Sequence, residues 1–343
     1  MLARRAARLR WMGGPDVPTL KDVARVAGVS IASASHALNG SKPVSDGLRR
    51  RVEAAATNVG YVPHPQARTL RTGRSRTLGV LLPDLGNPYF PALLRAVCAA
   101  ASEAGYGTLV ADAGGTPEGE RPALELLAAQ RVDGVVWAPR DAPGRPPDLP
   151  TVTVDRTAGG CDGVAADHRE AGRLVARHLL AAGRRRPVVL HGPARLQSAR
   201  ERSEGFREAW TGELAFEAEV PFDHRLPSDV RRALADAQTA YDAVACANDA
   251  VALGVLRLLR RSGRRVPDDV AVVGVDDIAF AELAEPALTT VRQPLEALGR
   301  EAVRLLIERI DGQAGPPRQL TLPVRLIVRG SSPEIETRMA RCL

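Results

Sequence analysis

Aromatic side chains are scarce in this 343-residue chain: five Phe, four Tyr and three Trp make up 3% of it. With 45% hydrophobic residues overall, its core must be packed mainly by aliphatic side chains, as in an ordinary soluble α/β protein. Cysteine is also sparse. Cys98, Cys161, Cys246 and Cys342 lie far apart, with no CxxC pair and no His at metal-ligand spacing. That argues against a zinc site or disulfide framework and for scattered thiols in a reducing cytosol. Lysine occurs only at Lys21 and Lys42, an arginine bias that fits a GC-rich genome better than a binding requirement. No apolar run approaches the roughly 20 residues that span a bilayer. The N-terminus carries Arg4, Arg5, Arg8 and Arg10 but lacks the apolar stretch of a secretory signal, so a cytoplasmic protein without membrane contact is expected. It reads as a disordered basic extension over residues 1–18, either an arm touching phosphates or leader upstream of a start at Met12. Missing too are a GxxxxGK[ST] or GxGxxG loop after a strand and a GxSxG nucleophile elbow. No cofactor, metal or catalytic residue is expected.

What is present is uneven charge. Residues 1–76 sum to +10 and the remainder to −3, a basic head on a mildly acidic body, which is the footprint of a nucleic-acid binder. Within the head, Leu20, Val23, Ala24 and Ala27 recur at helical spacing until Gly28-Val29-Ser30 interrupts them. Gly28 can take a left-handed turn, and Ser30 can cap a second helix running to Leu38, with Asn39-Gly40 as its stop. Two short helices about a Gly-containing turn form either a generic helical hairpin or a helix-turn-helix whose second helix enters a DNA major groove. Small Ala32, Ser33, Ala34, Ser35 and Ala37, with His36 projecting, keep that helix slim and favour the second reading. A third helix is expected over residues 46–59, then an extended Tyr61-Val62-Pro63 and a short helix over 65–70 that cannot stand alone in water.

These residues carry a resemblance. KDVARVAGVSIASASHALNG and VSDGLRRRVEAAATNVGYVPHPQARTLRTG resemble the start of the lactose/galactose repressor family of bacterial regulators. The likeness continues through LGVLLPDLGNPYF, RVDGVVWAP, ACANDAVALGVL, VAVVGVDDIAF and ALTTVRQP, in the family's order. It implies a small all-α helix-turn-helix DNA-binding domain (residues 19–62) and a hinge helix and linker (63–76). A two-lobed α/β periplasmic-binding-protein-like effector and dimerisation domain (77–330) and a tail (331–343) follow. On the recognition helix Ile31, Ala32, Ser33, Ser35 and His36 would meet base edges with Asn39 at its end. Ala32 would offer apolar contact and His36 a donor to guanine, Thr19, Ser30 and the Arg49–Arg51 run would sit near phosphates, and Leu20 is also counted among the DNA-binding residues. In the hinge, paired helices would lie in the minor groove, Ala67 beside the wedge Leu70, and His64 stands where the family usually has asparagine. A plain linker is the other reading of this stretch.

From Thr77 the texture becomes α/β. Strands are expected at 78–82, 108–111, 134–138, 151–155, 187–191, 243–247 and 270–275. Helices are expected at 89–104, 117–130, 170–182, 199–211, 228–238, 249–262 and 294–311. So many units exceed one doubly wound sheet, and ligands of such sheets bind beyond the strands' C-terminal ends. Asp84 and Asn87 follow the first strand, suited to bonding hydroxyls, with Tyr89 or Phe90 to stack on a sugar ring. The alternative there is a cap at Asn87 and a core Phe90. The resemblance places Arg202, with Ser198 a turn before it, against an effector, together with Phe222, Asn248, Asp276 and Gln293. Asp249 is expected to cap the next helix. Among Asp155, Asp167 and Glu170 the sequence does not choose. The rival class, an enzyme of sugar or phosphate-ester chemistry, would use the same carboxylates but has no use for the basic head, and a corepressor-type regulator answering a non-sugar metabolite is the other alternative. The expected partners are double-stranded, near-palindromic operator DNA, a mono- or disaccharide effector, and a second copy of the chain. A tetramer is disfavoured because residues 331–343 show no leucine heptad.

Overall fold

A computed structural model describes residues 18–39, 42–61, 73–140, 148–156, 160–236 and 238–333. The chain divides between Ser75 and Arg76 into two compact units.

The first unit holds helices α1 (Leu20–Ala27), α2 (Ile31–Asn39) and α3 (Asp46–Val59). Thr19 starts α1: its N–H and its hydroxyl both donate to the Asp22 carboxylate, at 3.0 and 2.7 Å. Gly28 ends it at φ +64°, a conformation that disfavours side chains, and the Gly28 and Val29 N–H groups close on Arg25 and Ala24. Ser30 begins α2 by accepting the Ser33 N–H at 3.1 Å, and Ser45 begins α3. Val23, Ala24, Ala27, Ala34, Ala37, Val52, Ala55 and Ala56 pack a small core whose residues are nearly all alanine and valine. Side chains this short bring the helices close and leave α2 slender.

In the second unit the strands form two six-stranded sheets. The first lobe contains β1 (Thr77–Leu82), β2 (Gly107–Asp112), β3 (Gly134–Trp137), β4 (Thr151–Val154), β5 (Asp162–Ala166) and β11 (Gln319–Leu322). All are parallel, in the order β11-β5-β4-β3-β1-β2. Helices α4 (Tyr89–Glu103), α5 (Pro117–Ala129) and α11 (Leu295–Ile310) pack on it. The second lobe contains β6 (Pro187–His191), β7 (Phe216–Glu219), β8 (Ala243–Cys246), β9 (Ala271–Asp276), β10 (Thr289–Arg292) and β12 (Arg325–Ile327). Their order is β12-β10-β9-β8-β6-β7, with only β12 antiparallel to its neighbour. Its helices are α6 (His168–Ala181), α7 (Gln197–Ala209), α8 (Ser228–Ala235), α9 (Asp249–Arg261) and the short α10 (Ala279–Leu283). Central strands such as β3, β4, β8 and β9 are buried along their whole length, as parallel strands covered on both faces must be.

The chain passes between lobes three times: from β5 into α6, from β10 into α11, and from β11 to β12. Those crossings explain what the sequence reading lacks. Its seven strands are present, but β5, β7, β10, β11 and β12 and helix α10 are additional. β7 and β11 are edge strands of alternating exposure with no apolar run to mark them. β10 opens on two buried threonines whose hydroxyls are bonded, Thr289 to the Arg329 carbonyl and Thr290 to Asp249. Helix α6 starts two residues earlier than expected because Asp167 caps it, accepting the Glu170 N–H at 2.8 Å. Ser331 and Ser332 are fully buried, so the second lobe extends past residue 330.

Candidate functional sites: a reading head and an inter-lobe cleft

On α2 the inward positions are Ala34 and Ala37, while Ile31 (50% exposed) and Ala32 face solvent and Ser33, Ser35 and His36 are half-buried. Three of the expected DNA-contacting residues are engaged within the head. The Ser30 and Ser33 hydroxyls lie 2.9 Å apart at the start of α2, and Leu20 packs on the helical core. Thr19 is exposed, and its two bonds, with Arg25, hold Asp22 down at about 2. The Asn39 side chain, His64, Ala67, Leu70 and the expected 65–70 helix lie outside the described residues.

In the second unit, loops at the C-terminal ends of both sheets meet across a cleft of about 250 Å³. Asp84, Asn87, Phe90, Arg140 and Arg156 line it from the first lobe, and Arg195, Phe222 and Asp223 from the second. Behind it a buried polar chain crosses between lobes. The Tyr89 hydroxyl lies 3.0 Å from an Asp155 carboxylate oxygen and 3.1 Å from the Gln293 amide oxygen. The Gln293 amide nitrogen then donates to Asp276 at 2.7 Å. A second bridge runs from Arg156 Nε to the Ser198 hydroxyl at 3.2 Å. Arg202 places its guanidinium 5.2 Å above the Phe222 ring and 3.7 Å from Asp276, with its buried Nε unpaired. Phe222 can lie this close because residue 192 is glycine: a Cβ there would meet the ring at 2.4 Å. Asp155, Asp276 and Asp277 all hold φ between +59° and +126°, a strain concentrated at the cleft.

Burial sets the electrostatics. It pushes Asp276 up to about 7 against the pull of Arg202. It also raises Asp249, helped by the charge of Asp276, and raises Tyr89, helped by Asp155. It lowers His168, whose Nε2 sits 2.9 Å from the Asp155 carbonyl, to about 4, with Arg202 adding to the effect.

Of the ten expected effector residues, Tyr89, Ser198, Arg202, Phe222, Asp276 and Gln293 converge on the cleft or its floor. Four serve other bonds or packing as well. Asp84 accepts the Gly86 N–H, Asn87 accepts the Tyr89 N–H as a turn, and Phe90 belongs to the first lobe's core while its edge reaches the cleft. Asn248 caps α9 by accepting the Val251 N–H. That corrects the expectation for Asp249. Asn248 already holds the capping position, so Asp249 turns inward, accepting the Ile278 N–H at 3.0 Å and the Thr290 hydroxyl at 2.6 Å. Of the three undecided acids only Asp155 faces the cleft. Asp167 caps α6, and Glu170 pairs with Arg173 and Arg177 at the surface. Arg140, Arg156 and His168 escaped the sequence reading. Asp155-Arg156 directly after an apolar strand was the available signal, the same that Asp276-Asp277 gives.

A helix-turn-helix head and a two-lobed α/β body with a polar cleft define a ligand-responsive DNA-binding regulator. Residues 19–64 match the bacterial regulatory proteins, lacI family, and residues 176–332 a periplasmic binding protein-like domain. The HTH-type transcriptional regulator CelR of Thermobifida fusca is 36% identical over 346 residues, covering 92% of this chain and 98% of that one. The ribose operon repressor of Escherichia coli (strain K12) is 33% identical, covering 92% and 99%. The lac repressor dimer bound to operator and the anti-inducer ONPF superposes with a TM-score of 0.81 at 28% identity, covering 92% and 99%. The chain belongs to the lacI family. It is a DNA-binding transcriptional repressor, not an enzyme. Among the described residues no helix is long and apolar enough to cross a membrane.

Proposed function

We propose that this repressor acts in the cytoplasm as a homodimer on a near-palindromic operator and is released by a small sugar held between its lobes. The observation that carries this reading is the pair of inter-lobe bridges, Tyr89–Gln293 and Arg156–Ser198. Every partner in them bonds hydroxyl groups well, so a polyol entering the cleft exchanges these bonds for its own and changes how the lobes meet. Arg202, Asp155 and Asp276 supply a guanidinium and two carboxylates for vicinal hydroxyls, and Phe222 supplies a ring face for the apolar side of a sugar. Relatives that regulate a ribose operon or form a dimer on operator DNA support the same chemistry and assembly. In the head, Ile31, Ala32, Ser35 and His36 read bases while Thr19 and Ser30 sit near phosphates. Two heads reach two half-sites by way of a hinge over residues 63–76, where Leu70 wedges a base step. A ligand need only prefer one lobe arrangement to shift the DNA equilibrium.

The test begins with selection of operator sequences from random duplex by the purified chain. Titration of the bound operator with pentoses, hexoses and disaccharides, followed by fluorescence anisotropy, comes next. A selected two-fold-symmetric site released by at least one sugar is the expected result. A site with no symmetry, or one that every sugar leaves bound or binds more tightly, contradicts the proposal.

A further inference from the structure

Arg140 lines the cleft from just beyond a strand end, as Arg156 does. It stands three residues after β3, where Ala138 and Pro139 are buried and its own backbone is tied down at both ends. Its N–H donates to Glu120, and its carbonyl accepts from Arg156. The side chain turns into the 250 Å³ cleft, near Gly115, where a Cβ would come within 3.7 Å of Nη1. Among the described residues its guanidinium makes no hydrogen bond or ion pair, and its Nε is buried without a partner. Three of the other charged groups that line the cleft have bonds of their own. Arg156 donates to the Pro139 and Arg140 carbonyls and to Ser198. Asp84 accepts from Gly86, and Asp223 holds His224 at 2.8 Å and the Arg225 N–H at 3.0 Å.

Arg140 faces the cleft with its Nε buried and, among the described residues, none of its side-chain nitrogens bonded, so its outer nitrogens are open to an acceptor that enters there. A sugar hydroxyl gives the planar fork one acceptor. A carboxylate or phosphate gives it two in the fork's own plane, together with an opposite charge.

We propose that the effector is an anionic monosaccharide, a sugar acid or sugar phosphate, with Arg140 as the counter-ion of its charged group. This rests on the sugar reading of the cleft and narrows it: the polyol part meets Arg202, Phe222 and the two aspartates, and the anion meets Arg140.

The full chain is titrated calorimetrically with ribose and glucose, with ribonate and gluconate, and with ribose 5-phosphate and glucose 6-phosphate, at one pH and ionic strength. A charged member binds about ten- to a hundredfold more tightly than its neutral parent, as a charge-assisted bond to arginine implies. The acid and phosphate arms tell which anion it is. In Arg140→Gln the ratio of charged to neutral affinity collapses toward one, and in Arg140→Lys part of it survives. The melting temperature of each variant without ligand reports whether it folds, and the lysine variant carries the test if glutamine does not. A neutral sugar binding as well as its charged forms, or a charge preference intact in Arg140→Gln, overturns the inference while leaving the sugar reading standing. No binding by any of the six compounds overturns the inference, and the sugar reading is then decided by the operator-release titration with pentoses, hexoses and disaccharides.

Discussion

Replacing Asp276 by asparagine isolates what burial does to the cleft. The carboxyl ends β9 inside the inter-lobe wall, with Arg202 and Arg156 pulling its pKa down and Asp155 and burial pushing it up, for a net rise from 3.8 to about 7. Gln293, Asp249 and Tyr89 complete its surroundings. An acid whose folded value exceeds its unfolded one holds extra protons in the native state between the two. Its contribution to stability is therefore greatest at low pH and falls as pH rises from about 4 to about 7. At about 1.4 kcal/mol per unit, a rise of roughly three units sets a ceiling of about 4 kcal/mol lost by pH 8. Asp276→Asn keeps the shape and the acceptor for Gln293 but cannot ionise, and it forfeits the attraction of Arg202. The expected net gain at pH 8 is about 1–3 kcal/mol, shrinking as pH falls and vanishing near pH 4. For a unit of this size that is a melting-temperature difference of about 2–4 °C per kcal/mol, readable by calorimetry across pH 5 to 8.5. Parallel pH profiles for the two proteins, or a variant less stable than its parent at pH 8, would show that Arg202 outweighs burial and refute the reasoning.

Two further outcomes follow. Asp162 sits with its carboxyl fully buried, gripped in two places by Arg309 at 2.8 and 2.9 Å and by the side chain and N–H of Arg318 at 2.9 and 2.7 Å, which together hold its pKa down. Asp162→Asn removes the buried charge that two guanidinium groups share, although Arg318 keeps Glu308 and Arg309 keeps three carbonyls, and should lower unfolding stability by about 2 kcal/mol in urea titrations. Because the folded value is depressed, the parent loses this contribution as pH falls through the carboxylate range, and the variant should lack that acid-side slope. In the hinge, Leu70→Ala should weaken binding to a kinkable operator far more than binding to random duplex at the same salt, as anisotropy titrations would read. Equal losses on both would remove the wedge.

The head was largely legible because its signals are local. Gly28, Ser30 and Gly60 punctuate three helices, and each helix carries its apolar positions at helical spacing. In the body, the seven strands with apolar runs could be read. The five others could not, because their places are fixed by partners far away in sequence: Asp162 by Arg309 and Arg318, Thr290 by Asp249, Arg325 by pairing with Arg292. The cleft shows the same division. Asp276 and Arg202 stand where motif and strand end put them, whereas Tyr89 is defined by a bond to Gln293, 204 residues away. The roles of Asn248 and Asp249 were exchangeable on paper, since either can cap a helix. Only the packing of Ile278 and Thr290 against Asp249 separates them.

The direct measurement of whether the cleft governs the head is the operator affinity of Arg202→Ala, with and without the sugar that releases the parent. Arg202 touches Phe222 and Asp276 in the second unit, whereas the helix-turn-helix lies in the first. Operator affinity without sugar within about twofold of the parent, together with a response to sugar lost over the whole titration, is the result the account predicts. Operator binding that collapses without any sugar, or release that proceeds as in the parent, would contradict it.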